Sequence, residues 1–246
     1  MATTDQSGRN TIFAQMSSDE FRTLQPHLEP IVLEMATELA IRGEPLDHVV
    51  FVTSGIASML VESTDGRSIE VGLTGRESIV GLPIVAALGE LSFNVVVQVP
   101  GEGFKVAAPT MVSLLPSLPA LREILIRRLA IRSLFLAQNA GCNRLHTVEQ
   151  RLSRWLAIVR DRLDTDVIHI THDFLSRMVG TDRASVTTAV AQLHGLGILE
   201  RRPGIRGFLT LKDRDKLERH SCECYGLYKQ FNRELGLVHE STLKVA

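Results

Sequence analysis

The segment from Thr171 to Leu193 constrains the fold most, because it carries the start and stop signals of two short helices in close succession. Thr171 can cap a first helix, since a threonine oxygen there accepts a backbone hydrogen bond from the first turn. Gly180 suits a tight turn in which φ is positive. Asp182 can cap a second helix that runs to Leu193. The sequence therefore predicts two helices that meet at Gly180.

The second predicted helix is apolar on one face and polar on the other. Its inward positions are Val186, Val190 and Leu193. Its outward positions lie at the N-terminal end, where free N–H groups favour phosphate and where such a helix enters the major groove of DNA. Together with the capping Thr171, the candidate DNA-binding residues of this segment are Arg183, Ala184, Ser185, Thr187 and Thr188.

Short strands flank the two helices. Residues 167–170 predict one strand, and residues 195–200 and 208–211 predict a hairpin around a Pro-Gly turn. That turn carries Arg201, Arg202 and Arg206, which are placed to meet backbone phosphates. A helical hairpin that serves only packing would explain the apolar positions, but it would not explain this order of elements. We therefore predict a winged helix-turn-helix that binds double-stranded DNA.

Residues 1–117 predict a separate β-domain. Short β-rich runs alternate with closely spaced glycines, and Asp65-Gly66 is a hairpin signal between residues 59–62 and 68–73. Many short strands with close turns are typical of a small β-barrel, roll or sandwich. The stretch from Pro109 to Pro119 predicts a break.

Residues 118–143 predict one long helix of roughly 37 Å at about 1.5 Å per residue. A stripe along it steps by three and four residues, so a second copy of the helix could pack there and form a homodimer. The alternative is one wide core face without a partner. The candidate dimer contacts are Leu121, Ile124, Arg128, Ile131, Phe135 and Gln138. Residues 143–146 predict a hinge, 144–220 the DNA-binding domain and 221–246 a C-terminal tail.

Charge is divided unevenly along the chain. Residues 1–118 hold 6 Lys/Arg and 14 Asp/Glu, a net charge of −8, whereas residues 144–219 hold 14 and 10, a net charge of +4. This division favours contact of the rear half with a polyanion, although +4 also lies within ordinary scatter. The longest apolar run, Ile79 to Leu88, is shorter than the roughly 20 residues of a membrane span. With no signal peptide expected, we predict a cytoplasmic protein.

From about Leu28 to Arg219 the sequence resembles the Crp/Fnr family of bacterial regulators. The cyclic-nucleotide-binding β-roll of the family is similar to Gly43-Glu44 and residues 50–55 and 73–81. Its dimer helix is similar to residues 118–143, and its DNA-binding domain is similar to the rear half. The resemblance implies an α+β fold with an N-terminal β-roll, a long dimerisation helix and a C-terminal winged helix-turn-helix. It implies a transcription regulator, with RNA polymerase open as a further partner.

The resemblance also assigns base reading to Arg183, Ala184 and Thr188. Arginine can bond guanine O6 and N7 together, whereas Ala184 stands where many relatives carry glutamate, so we predict an operator unlike those of the best-known members. A dimer would read a pseudo-palindrome whose half-sites lie about 34 Å apart.

Cyclic AMP binding in the usual family mode is not expected. Family members that bind it use Gly-Glu and then an arginine that neutralises the phosphate. Here Leu82 follows Gly81, the arginine position falls near Ser92 or Phe93, and no arginine occurs between Glu77 and Leu121. We expect the pocket to hold another ligand or to be filled by apolar side chains.

Three cysteines, at positions 142, 222 and 224, are too few for a disulfide framework or a four-thiolate iron–sulfur cluster. Cys222, Cys224 and His220 lie close in sequence and could bind a metal with Cys142 or His239, or respond to oxidants. The alternative function is therefore a redox- or metal-responsive sensor that acts through Cys222 and Cys224 or through protein contacts. The alternative is two small, partly buried residues in a helix or tail, and we assign no cofactor. Cys142 and His146 alone do not indicate an enzyme, because the chain has no P-loop, zinc-protease helix or nucleophile elbow.

Overall fold

The computed structural model of this protein describes residues 10–200, 207–234 and 236. The front half contains two four-stranded antiparallel sheets with the orders β1-β8-β3-β6 and β2-β7-β4-β5. Their strands are β1 (Glu29–Leu33), β2 (Glu38–Ala40), β3 (His48–Val52), β4 (Ile56–Glu62), β5 (Ser68–Thr74), β6 (Ile79–Val80), β7 (Asn94–Val99) and β8 (Gly101–Ala107).

The predicted hairpin joins β4 to β5, and Gly66 takes the positive φ of 81° that its turn needs. Short helices close the roll: α1 (Thr11–Gln15), α2 (Ser18–Leu24) and α3 (Ala108–Leu114). Phe13 of α1 stacks on Phe51 of β3 with the ring centroids 4.8 Å apart. The predicted break after Pro109 was wrong, because this proline lies in the first turn of α3, where a missing N–H costs no hydrogen bond.

The long helix α4 (Pro119–Leu145) extends two residues beyond the predicted end, so only His146 and Thr147 separate it from α5 (Val148–Leu163). Two predicted dimer contacts on α4 were wrong. Leu121 is fully buried in the roll core and Arg128 is 3% exposed, with hydrogen bonds to Glu77 O and to Gln15. Both side chains already pack within their own chain, so they are not available to a second copy.

The rear half forms its own core around Trp155 of α5. The predicted capping box is present, since Thr147 and Gln150 exchange side-chain to backbone hydrogen bonds at the start of α5. A three-stranded antiparallel sheet has the order β10-β11-β9. The remaining elements are β9 (Val167–His169), α6 (His172–Val179), α7 (Arg183–Gly195), β10 (Leu199–Glu200), β11 (Phe208–Leu211), α8 (Arg214–His220) and α9 (Cys224–Glu234).

Helix α9 corrects the prediction of a tail after residue 220. The ring of Tyr228 lies 5.7 Å from that of Phe135 on α4, and Arg162 of α5 lies 5.1 Å from the Tyr228 centroid. The Tyr225 hydroxyl donates a 2.8 Å hydrogen bond to Asp161. Helix α9 therefore joins α4 to α5, and residues 224–234 pack against the folded core instead of forming a tail.

The rear half docks on the outer strand β5 of the roll. The Trp155 indole donates a 3.0 Å hydrogen bond to Glu70 of β5, and Met178 of α6 lies 3.7 Å from the Ser58 hydroxyl of β4. None of the helices within residues 10–200 and 207–234 is both long and apolar enough to cross a membrane. The architecture confirms the predicted β-roll, long helix and helix-turn-helix in that order.

Candidate nucleic-acid interface

The helix-turn-helix forms through the predicted caps. Thr171 accepts a 3.2 Å hydrogen bond from Phe174 N at the start of α6. Gly180 ends that helix with φ at +65°, in the left-handed region, and Asp182 accepts a 2.8 Å hydrogen bond from Ser185 N at the start of α7. These local bonds set where α6 begins and ends and where α7 begins.

Helix α7 buries one face and exposes the other. Val186, Val190 and Leu193 lie in the rear core, whereas the predicted reading positions Arg183, Ala184, Thr187 and Thr188 are all exposed. The Arg183 side chain is 69% exposed, and its 3.4 Å ion pair with Asp173 is a surface pair worth at most about 1 kcal/mol. The guanidinium is therefore free to exchange this partner for another acceptor.

The two threonine hydroxyls of this face bond to their own helix. Thr187 donates to Arg183 O at 2.9 Å, and Thr188 donates to Ala184 O at 3.1 Å. Their hydrogens are therefore occupied, and both threonines expose a methyl group. Because Thr187 Oγ1 also lies 3.0 Å from His172 Nδ1, Thr188 has the freer acceptor oxygen. Arg183 is the strongest hydrogen-bond donor on this part of α7.

The wing begins with the antiparallel pair β10–β11, in which Leu199 faces Leu211. The three arginines predicted to contact phosphate, Arg201, Arg202 and Arg206, lie outside the described residues and stay predictions.

A buried polar group lies between the roll and the rear half. Burial raises the pKa of Glu70 to about 8, while hydrogen bonds from Ser58 and Trp155 act against that shift. The Ser58 oxygen lies 2.8 Å from Glu70 and 2.6 Å from the Gln98 side-chain oxygen. A hydroxyl has one hydrogen, so a proton on Glu70 or a rotated Gln98 amide completes this chain of bonds.

Helix α4 places two arginines beside the roll, although the roll sequence itself has no arginine between Glu77 and Leu121. Arg132 donates to the hydroxyls of Thr74 at 3.2 Å and Ser78 at 2.9 Å, and Arg128 lies beside it. Arg162 of α5 forms a buried 2.9 Å ion pair with Glu77. The cavity that these side chains line measures about 50 Å³, well below the roughly 300–1,000 Å³ of typical ligand pockets.

The region expected to receive a nucleotide is apolar and packed. Leu82, Ile84 and Val85 are each at most 8% exposed, and Phe93 packs against the same core.

The cysteines come together at the end of α4, in a group we name the thiol cluster: Cys142, His146, Cys222 and Cys224. Their ligand atoms all lie within 4.8 Å of one another. His220, the histidine predicted from sequence, does not belong to this group, and His146 stands in its place; His239 lies outside the described residues. The hydrogen bond between the thiols of Cys142 and Cys222 lowers the pKa of the first and raises that of the second.

Residues 150–220 match the Crp-like helix-turn-helix domain. No curated protein matches the sequence of this chain. Among solved structures, FixK2 from Bradyrhizobium japonicum is 17% identical, with a TM-score of 0.62 and coverage of 79% of this chain and 98% of its own. The c-di-GMP-responsive global regulator CLP from Xanthomonas campestris is 18% identical, with a TM-score of 0.62. The match covers 80% of this chain and 100% of the CLP chain.

A third structure is a protein from Eubacterium rectale assigned to the Crp/Fnr transcriptional regulators, at 15% identity, a TM-score of 0.65 and coverage of 85% and 96%. The fold and the matched domain together define a β-roll protein with a Crp-like helix-turn-helix domain. Residues 150–220 are thus a Crp-like helix-turn-helix domain, and the fold of the whole chain is similar to that of these solved structures, as its sequence predicted.

Proposed function

We propose that this protein is a cytoplasmic homodimer that reads a pseudo-palindromic DNA site through α7 and does so without cyclic AMP. The observation that carries the proposal is the exposed N-terminal face of α7. Its cap is formed, its apolar side is buried, and Arg183 projects at 69% exposure beside short polar side chains. A helix end of this shape and charge suits the major groove, and Arg183 suits guanine.

Selection of random duplex DNA by the purified, ligand-free protein tests this proposal. We expect an enriched palindrome with half-sites one helical turn, about 34 Å, apart. Replacing Arg183 with Ala should lower affinity for the selected site by roughly 5–150-fold, the equivalent of about 1–3 kcal/mol for a bidentate arginine–guanine contact, and should relax the preference at one position of each half-site. The exposed Arg122 at the start of α4 provides a matched control, since Arg122→Ala leaves α7 unchanged.

No enrichment, or an Arg183→Ala variant with the same affinity and base preference, would contradict the assignment of α7. The phosphate contacts at Arg201, Arg202 and Arg206 are proposed from the sequence, and their loss should weaken binding to all sequences alike and reduce its dependence on salt.

The dimer contact is proposed for a different stripe of α4 from the one predicted. Since Leu121 and Arg128 are buried, we assign the contact to the outward stripe, which is made of small and apolar residues. Ile126 is 41% exposed and Leu134 52% exposed. The steps of three and four residues along this stripe are those of a helix that packs against a second helix. The outward stripe consists of Ile126, Ala130, Leu134, Ala137 and Ala140.

Sedimentation of the Leu134→Glu variant tests this contact. We expect a monomer where wild type is a dimer, because two carboxylates would be buried opposite each other across the symmetry axis. Val112 on α3 is 45% exposed and lies off the stripe, so Val112→Glu is the matched control and should remain dimeric. A dimeric Leu134→Glu variant would reject the outward stripe.

Independence from cyclic AMP is supported by two features of the roll. The loop after Gly81 carries Leu82 instead of glutamate, and the cavity beside Arg132 is too small for a nucleotide. Calorimetric titration with cyclic AMP should give no heat of binding, and DNA affinity should not change on its addition. Tight binding would reject this part. Contact with RNA polymerase stays a prediction from the family resemblance.

A further inference from the structure

We propose that the thiol cluster is a metal site and that it binds one zinc ion in a tetrahedral arrangement. Cys142 and His146 are four residues apart at the end of α4, and Cys222 and Cys224 lie where α8 passes into α9. Three sulfur ligands and one imidazole nitrogen form a Cys₃His set, which is one of the known structural zinc sites. The proposal does not rest on DNA binding.

The distances suit a shared ion. Ligands about 2.3 Å from a tetrahedral zinc lie about 3.8 Å from one another. Here the sulfur atoms of Cys142 and Cys222 are 3.5 Å apart, and the Cys224 sulfur lies 3.8 Å from His146 Nδ1. The cluster therefore needs adjustments of only a few tenths of an ångström along these two edges to hold an ion.

The surroundings of the cluster resemble the outer shell of a metal site. His146 Nε2 lies 3.0 Å from a Glu223 carboxylate oxygen, which can accept its N–H and leave Nδ1 free to face the sulfurs. Metal-bound histidines almost always donate their second N–H in this way. On the other side, Gln138 Nε2 donates a 3.1 Å hydrogen bond to the Cys224 sulfur, which stabilises a thiolate.

Two buried arginines provide an independent indication of negative charge at the cluster. Arg151 and Arg154 are 8% and 6% exposed, and in the part of the chain that the structure describes neither has a carboxylate within 4.0 Å. Their other contacts are neutral, a carbonyl oxygen of Asn143 and the amide oxygen of Asn139. An isolated buried cation is costly.

The charge of the occupied site supplies what the arginines lack. Zinc replaces the proton of each thiol, and three thiolates with one Zn²⁺ carry a net charge of −1. An occupied site thus gives Arg151 and Arg154 a neighbouring anion in the protein interior.

The ligands come from distant parts of the sequence, since Cys142 and Cys222 are 80 positions apart. An ion that bridges them ties the last turn of α4 to the α8–α9 junction, next to the two-residue connection into the DNA-binding domain. The zinc would therefore fix the domain against the long helix.

The test uses the full-length chain, purified with reductant and depleted of metal, and titrated with Zn²⁺ against a chromophoric chelator. We expect one zinc per chain and protection of three thiols from alkylation, counted by mass spectrometry with and without zinc. Substituting Co²⁺ should give the strong visible absorption of a tetrahedral, sulfur-bound ion. These measurements use wild type alone, so they hold even if a variant fails to fold.

Variants then assign the ligands. His146→Ala should abolish stoichiometric zinc binding, and Glu223→Gln should weaken it by about 10–100-fold, the usual effect of removing an outer-shell partner. His220→Ala is the matched control, because His220 lies outside the cluster, and it should bind zinc as wild type does.

Any of three binding results would overturn the proposal, and a fourth result concerns oxidation. The binding results are fewer than about one zinc for every ten chains, equal zinc affinity in wild type and His146→Ala, or iron with acid-labile sulfide in place of zinc. Formation of a Cys142–Cys222 disulfide in the presence of excess zinc would equally reject it, since an occupied site protects both thiols.

Discussion

Replacing Glu70 with Gln should stabilise the protein, and the gain should grow with pH. Glu70 is 4% exposed between the roll and Trp155, and burial raises its pKa from 4.5 to about 8. Between these two values the folded state keeps a proton that the unfolded state has released. The stability that protonated Glu70 provides is therefore complete below about pH 4.5 and is lost progressively as pH rises toward about 8.

The magnitude follows from the span between the two pKa values, since each tenfold change in an acid constant corresponds to about 1.4 kcal/mol. At about pH 5 the loss is about 1 kcal/mol, and at about pH 7.5 it is about 4 kcal/mol. Glutamine does not titrate, and its amide can donate to Ser58 while its oxygen accepts from Trp155. We therefore expect the stability advantage of Glu70→Gln to be about 3 kcal/mol greater at about pH 7.5 than at about pH 5.

Urea unfolding of both proteins at the two pH values measures this difference. Trp155 is the only tryptophan of the chain, so its fluorescence reports the same interface, and circular dichroism gives an independent signal. Glu62 lies exposed at the end of β4, and Glu62→Gln serves as the control without a pH-dependent gain. A variant that is less stable than wild type at both pH values, or a difference that does not change with pH, would refute a neutral buried Glu70.

Three further substitutions have calculable effects on urea unfolding. Gly180→Ala should lower the free energy of unfolding by about 1–2 kcal/mol because alanine disfavours the left-handed backbone, and by more because its Cβ would lie 2.5 Å from Ile69 Cδ1. Adding Ile69→Val should remove the clash and restore only that part of the stability. Full recovery would contradict the backbone argument. Glu77→Gln should cost about 3–5 kcal/mol by leaving Arg162 buried without its partner, and a loss below about 1 kcal/mol would refute a fully desolvated pair. Thr147→Ala should cost about 1 kcal/mol through the capping box, whereas an unchanged midpoint would show that the box adds nothing.

Local signals predicted the rear half well because its elements are set by short-range chemistry. Thr171, Gly180 and Asp182 each take the backbone role that the residue type favours, so the turn and both helices could be located from sequence. The capping box at Thr147 worked for the same reason. Signals of this kind depend on neighbours within four residues, all of which a sequence displays.

Burial on α4 could not be read in the same way. The stripe through Leu121 and Arg128 has the spacing of a helix contact, but spacing does not say which partner covers it. The roll and α1 cover these residues, and Glu77 O and the Gln15 side-chain oxygen, from distant segments, accept hydrogen bonds from the arginine. The opposite stripe, with Leu134 and alanines, has the same period but is less hydrophobic. Its spacing alone therefore did not distinguish it as the dimer contact.

The sequence predicted the three cysteines of the thiol cluster but not its histidine. Cys222 and Cys224 were predicted as candidate ligands because only one residue separates them, and Cys142 was predicted as a further candidate ligand. His146 was missed as a partner because it is 76 or more positions from those two cysteines, and His220 was preferred because it is near them. The i, i+4 spacing of Cys142 and His146 on one helical face was the signal that could have found it.

The position of Gly180 has a consequence for how operators are matched. The turn between α6 and α7 touches Ile69 on β5, and a side chain on Gly180 would not fit there. In the proposed dimer, the position of each roll would therefore determine the distance between the two α7 helices. Substitutions on β5 that never approach DNA would shift the preferred number of base pairs between half-sites, while leaving the bases read within each half-site unchanged.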